Sequence, residues 1–151
     1  MDARYLMDHL DQVVVVDAQS EKAYKKGHIP GGVSSPWQPF THMDGKPGNP
    51  GWGALLPKKE LAAKIGALGI DGGRPLVVYA DPPGWGEDGR FVWMAVMAGL
   101  QPEYPIVTYC TAGIRSAHMA LVLRMTGFAN ARNYDASFYE WAGMKDLPLE
   151  K

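Results

Sequence analysis

Pro105-Ile106-Val107-Thr108-Tyr109-Cys110-Thr111-Ala112-Gly113-Ile114-Arg115-Ser116 is the stretch on which the reading of this chain turns. Its first five residues are β-branched and aromatic, the composition of a short buried strand. From Ser116 to Met125 the chain is rich in Ala, Leu and Met and predicts a helix, with Ser116 placed to cap its start. The only cysteine, Cys110, falls where strand gives way to helix. Between them a tight loop containing Gly113 can aim successive backbone N–H groups at one point. Those amides, the helix N-terminus and Arg115 favour negative charge there, so the Cys110 thiol is expected to ionise early and to be reactive. A lone cysteine is more often a small buried hydrophobe than a nucleophile. The strand-to-helix position and the arginine five residues on reverse those odds. A guanidinium at Arg115 also matches the geometry of a sulfonate, thiosulfate or carboxylate.

Outward from this unit the chain alternates strand and helix, which predicts an α/β fold with a mainly parallel sheet covered on both faces. Arg4 to Leu10 reads as a short helix, Val13 to Asp17 as a buried strand, Glu21 to Lys26 as a helical turn and Lys58 to Leu68 as a helix ended by Gly69. From Pro36 to Pro57 the chain is crowded with Gly, Pro and Trp. That predicts a long ordered loop anchored by Trp37 and Trp52, with a substrate-side lid as the alternative.

The strand-Cys-x-x-Gly-x-Arg-Ser-helix unit resembles the active loop of rhodaneses, sulfurtransferases that carry sulfane sulfur as a cysteine persulfide. Two further stretches support the resemblance. Val13 to Asp17, Ser20 to Tyr24 and Gly27-His28-Ile29-Pro30-Gly31-Gly32 look like the first rhodanese strand and the turn after it, while Asn133 to Trp141 is similar to the closing strand and helix of thiosulfate and mercaptopyruvate sulfurtransferases. In this setting His28 is expected to serve the turn rather than act as a base. Many rhodaneses carry Asp-x-Arg after the first strand, where this chain has Asp17-Ala18-Gln19. The absent charge is expected to weaken a buried pairing and, with it, catalytic competence.

Leu76 to Ala80, a glycine-bearing loop and Phe91 to Ala98 form a second strand-loop-helix unit with no cysteine. It resembles the noncatalytic half of tandem sulfurtransferases, whereas Pro105 onward resembles the catalytic half. The expectation is a single rhodanese-like domain over 1–151, with an extra inactive unit at about 75–100 and a catalytically silent loop from Asp81 to Gly89. Such an insertion could leave strand edges open, which suggests a homodimer.

The resemblance implies a thiosulfate sulfurtransferase in which Cys110 is the nucleophile. Thr111, Ala112, Gly113, Ile114, Arg115 and Ser116 would bind the donor, with no cofactor. The partners it implies are a small anionic sulfur donor and a thiol or cyanide acceptor. The alternatives are a noncatalytic sulfur-carrier or redox-sensing module and a Cys-dependent phosphatase or arsenate reductase. The spacing Cys110-x4-Arg115 is one residue shorter than the Cys-x5-Arg cradle of related phosphatases and suits a persulfide sulfur better than a phosphoryl group.

Composition narrows the classes further. A formal charge of −1, from 15 basic and 16 acidic residues with no basic run, argues against nucleic acid. No apolar run approaches about twenty residues, so no membrane span is expected. His9, His42 and His118 show no metal-ligand spacing with Cys110, so a metal site is not expected. One cysteine cannot form an internal disulfide, and the first residues lack a signal-peptide pattern; both fit the cytoplasm, with a periplasmic origin left open.

Overall fold

The chain runs α1 (Ala3–Asp8), β1 (Val14–Asp17), α2 (Glu21–Tyr24), β2 (Val33–Ser34), α3 (Lys58–Gly66), β3 (Leu76–Tyr79), α4 (Glu87–Ala98), β4 (Ile106–Thr108), α5 (Ile114–Met125), β5 (Arg132–Asn133) and α6 (Ser137–Gly143). Short 3-10 turns lie at Leu10–Gln12 and Gln38–Phe40. These come from a computed structural model that describes residues 2–80, 86–110 and 112–150. The strands form one sheet in the order β2-β1-β3-β4-β5, and every described pairing is parallel.

Burial on both faces explains why the strands read as unbroken apolar runs rather than alternating ones. Val14 and Val16 of β1, Leu76 and Val78 of β3 and Ile106 of β4 face one core, shared with Leu61 and Ile65 of α3, Phe91 and Met94 of α4 and Leu123 of α5. Val15, Val77, Tyr79, Val107 and Tyr109 face the other, against Leu6 of α1 and Phe138 and Trp141 of α6. Helices cover both faces, as expected. Parallel strands also bring Asp17, Ala80 and Cys110 to the same edge of the sheet, where β1, β3 and β4 end.

The second unit is built into the middle of the sheet. β3 pairs with β1 on one side and β4 on the other, Val16 beside Val78 and Val78 beside Thr108. The edges are β2 and β5, two residues each. Strands this short give another chain little to pair with.

Several boundaries differ from the sequence reading. α4 starts at Glu87, four residues before Phe91, because Glu87 and Asp88 place acidic charge in its first turn. α5 starts at Ile114, so Ser116 lies inside the first turn and does not cap it. α3 stops at Gly66. The 36–57 segment is an anchored loop: Trp37 and Trp52 meet edge to face at 6.1 Å, and the Arg90 guanidinium lies 4.6 Å over the Trp37 ring. Arg90 also donates to the Gly53 carbonyl at 2.7 Å. Thr41 and Leu55 form a single antiparallel bridge across the loop.

Gln19 does more than its missing charge suggested. Its side-chain amide donates to one oxygen of Asp17 at 2.7 Å and its backbone N–H to the other at 2.9 Å. Asp17 is fully buried, and that burial raises its carboxyl above the usual range, while bonds from Tyr79 and Gln19 draw it back down. His28 serves the turn. It stacks on Tyr24 at 3.7 Å, and its backbone exchanges hydrogen bonds with Glu150 at 2.7 and 2.8 Å.

Candidate active site

Cys110 follows β4 at the edge where the strands end and is 3% exposed. Its backbone is held by the start of α6: its N–H donates to Ser137 Oγ at 3.2 Å, and its carbonyl accepts from the Phe138 N–H at 3.0 Å. Ser137 donates in turn to the Tyr134 carbonyl at 2.9 Å. It does so with φ of 58°, in the left-handed region that non-glycine residues rarely occupy. The sequence places Ser137 in the closing motif but does not reveal this contact. A serine at a helix start is an ordinary pattern and says nothing of a partner on a distant strand.

Several donors converge on Sγ. Burial alone would push the thiol up. The backbone N–H groups of Ser116 and Ala112, the Ser116 hydroxyl and the Arg115 N–H more than offset it and bring the thiol from 9.0 down to about 7. At neutral pH a large fraction is therefore thiolate. The Ser116 hydroxyl sits 3.7 Å from Sγ and 3.1 Å from the Gly113 carbonyl, so its one proton can serve either. Thr108 Oγ1 donates to the Ser116 carbonyl at 2.9 Å and ties the first turn of α5 back to β4.

Among the residues expected to bind a donor, Ala112, Arg115 and Ser116 all direct N–H groups at Sγ. Gly113 has a different task. Its φ is 82°, and the loop passes so close to Asp135 that no side chain fits there. Ile114 opens α5 with its side chain 80% exposed, so anything it offers a ligand comes from its backbone. Thr111 lies outside the described residues, as do Asp81 to Trp85, the larger part of the loop expected to be silent. Of its remaining residues, Asp88 is buried on the first turn of α4 and feels the charge of Arg115.

Comparison with known proteins bears on the family and the fold. A Mycobacterium bovis protein provisionally named thiosulfate sulfurtransferase 1 is 28% identical over 131 residues, which is 86% of this chain and 34% of that protein. The sulfur carrier protein TtuD of Thermus thermophilus is 28% identical over 136 residues, 89% of this chain and 34% of its own length. The chain thus spans about a third of the curated relatives it matches. Among solved structures, a 3-mercaptopyruvate sulfotransferase from Escherichia coli superposes with a TM-score of 0.58 at 21% identity, covering 100% of this chain and 49% of that one, and shares the fold. The model of the rhodanese-like domain matches residues 2–100 and again 81–144, and the chain belongs to that family.

Proposed function

We propose that this protein accepts sulfane sulfur onto Cys110 as a persulfide and passes it to a thiophilic acceptor. The observation that carries this reading is the Cys110 thiol, lowered to about 7 by N–H groups converging on a buried sulfur. With thiosulfate, the thiolate attacks the outer sulfur, a new S–S bond forms and the donor's S–S bond breaks. Sulfite leaves with the electron pair. With 3-mercaptopyruvate the leaving group is an enolate. The amides that stabilise the thiolate also suit the terminal sulfur of the persulfide, and Arg115 holds the donor's anionic end. Cyanide, a small thiol or a protein cysteine then removes the terminal sulfur. Neither step calls for a cofactor, and a reactive lone thiol fits a reducing compartment such as the cytoplasm.

This reading takes 1–151 as one rhodanese-like domain with the 75–100 unit built in. A second reading, a sulfur carrier with slow turnover, is favoured by the name of the Thermus thermophilus relative. A phosphatase is disfavoured by the short loop. Intact mass after thiosulfate treatment tests the proposal. One added sulfur is expected, lost on adding cyanide and absent from Cys110→Ser. Rapid thiocyanate release over many turnovers marks an enzyme and a single slow release a carrier; no sulfur on Cys110 from thiosulfate or 3-mercaptopyruvate would overturn both readings. Light scattering decides the homodimer, where one chain's mass at micromolar concentration counts against it.

A further inference from the structure

Asp88 has no part in the chemistry proposed above, yet it is 2% exposed and its Oδ1 finds no hydrogen-bond partner among the described residues. A carboxyl is costly to bury in that state unless something nearby answers its charge. It lies on the first turn of α4, which is pressed against α5: a Cβ built on Gly89 would come 2.8 Å from Cε of Met119. Arg115 stands on the first turn of α5. Burial raises the Asp88 carboxyl and so does Glu87, while the Gly89 N–H, the Arg115 charge and the N–H of Asp88 itself draw it back down. Asp88 and Arg115, on the first turns of two packed helices, thus act on each other electrostatically beside the loop that holds Cys110.

We infer that Asp88 is a positioning residue that sets the charge of the donor pocket. Through its charge it offsets the guanidinium of the Cys110 loop, so the pocket favours sulfane donors with one negative charge over the thiosulfate dianion. The inference deepens the persulfide reading and rests on it. It also departs from the expectation that residues 81–89 are silent. A thiolate, a guanidinium and the carboxylates of Asp88 and Glu87 leave a net negative site, and the resulting field acts on a dianion twice as strongly as on a monoanion. The favoured class includes organic hydropersulfides and thiosulfonates. For a thiosulfonate RSO2S⁻, the Cys110 thiolate attacks the outer sulfur and the bond between the donor's sulfurs breaks. A sulfinate RSO2⁻ leaves with the electron pair, and two negative charges stand on each side.

The test compares thiosulfate with methanethiosulfonate, which differs from it by a methyl group in place of one charged oxygen. Asp88→Asn is expected to raise kcat/KM about tenfold for thiosulfate and about threefold for methanethiosulfonate, through KM. Asp88→Glu, which keeps the charge, is expected to keep the wild-type ratio of the two donors. A merely structural role would change both donors by one factor, and that result overturns the inference. If Asp88→Asn folds poorly, the wild type still decides: methanesulfonate should protect Cys110 from iodoacetamide at least as well as sulfate, and stronger protection by sulfate overturns the proposal. The protection assay needs no sulfur transfer. A failure of persulfide formation would therefore strike the functional reading alone.

Discussion

A Cβ on Gly113 would fall 2.0 Å from the carbonyl oxygen of Asp135, so the cysteine loop and the segment before α6 touch backbone to backbone. Only glycine permits that approach, and only glycine takes the φ of 82° there without strain. Gly113→Ala is expected to destabilise the fold by about 2–4 kcal/mol, combining left-handed strain with a forced backbone shift. The midpoint of urea unfolding measures this, and a loss under about 0.5 kcal/mol would show that the two segments part freely.

Cys110→Ser should abolish sulfur uptake while keeping the fold, since the hydroxyl fits but forms no persulfide. The variant also exposes a pH linkage. A thiol held near 7 in the folded chain and 9.0 when unfolded contributes nothing below pH 7. Its stabilisation grows between pH 7 and 9 and is complete above 9, at about 2–3 kcal/mol over the serine variant. Parallel unfolding curves for the two proteins across that range would contradict the lowered thiol.

Ser116→Ala removes the only side-chain hydroxyl among the described donors that favour the Cys110 thiolate. The thiol should ionise at higher pH, so iodoacetamide should modify it about three- to tenfold more slowly at pH 6.5. Rates that match the wild type at every pH would place the hydroxyl's proton permanently on the Gly113 carbonyl.

Gln19→Met keeps length but withdraws the amide that donates to buried Asp17. The expected cost is about 1.5–3 kcal/mol at neutral pH, the range for a hydrogen bond to a charged group. The cost should be smaller in mild acid, where protonated Asp17 needs the donor less. A cost independent of pH would mean that Asp17 stays neutral in the folded chain.

Arg90→Ala removes both the cover on Trp37 and the bond to the Gly53 carbonyl. The 36–57 loop should be cut by protease about tenfold faster while the sheet survives, since the loop's hold on α4 is local. Arg90→Lys should rescue only part of this, because an ammonium cannot both stack and donate in the guanidinium's geometry.

The centre of the sheet was legible because β1, β3 and β4 are largely apolar runs, and Val14 to Val16 announces burial on both faces, whereas β2 (Val33–Ser34) and β5 (Arg132–Asn133) are two-residue strands without that signal. The cysteine loop was legible because strand, Cys110, Gly113 and Arg115 lie consecutively, where local sequence decides geometry. Three other features were hidden because they depend on residues far apart in the chain. Ser137 reaches the Cys110 amide only once α6 packs beside β4. The reason for Gly113 is a carbonyl on another segment, and the burial of Asp88 depends on how α4 meets α5. Counting charge alone does not reveal that Gln19 still pairs with Asp17, since a neutral amide can also donate a hydrogen bond.

Because the described sheet is wholly parallel, it contains no hairpin from which folding could start. Val14 must find Leu76, and Leu76 must find Ile106, across intervening helices and the long loop before any of the central pairings is rewarded. Chain-closure entropy is therefore met early and repaid late, which makes refolding slow compared with a helical protein of this length. During that interval Val14 to Val16 and Leu76 to Tyr79 are bare, uncharged and β-prone, the composition that self-associates. Dilution and low temperature during refolding should accordingly govern the yield of native protein more strongly than any single contact in the finished fold.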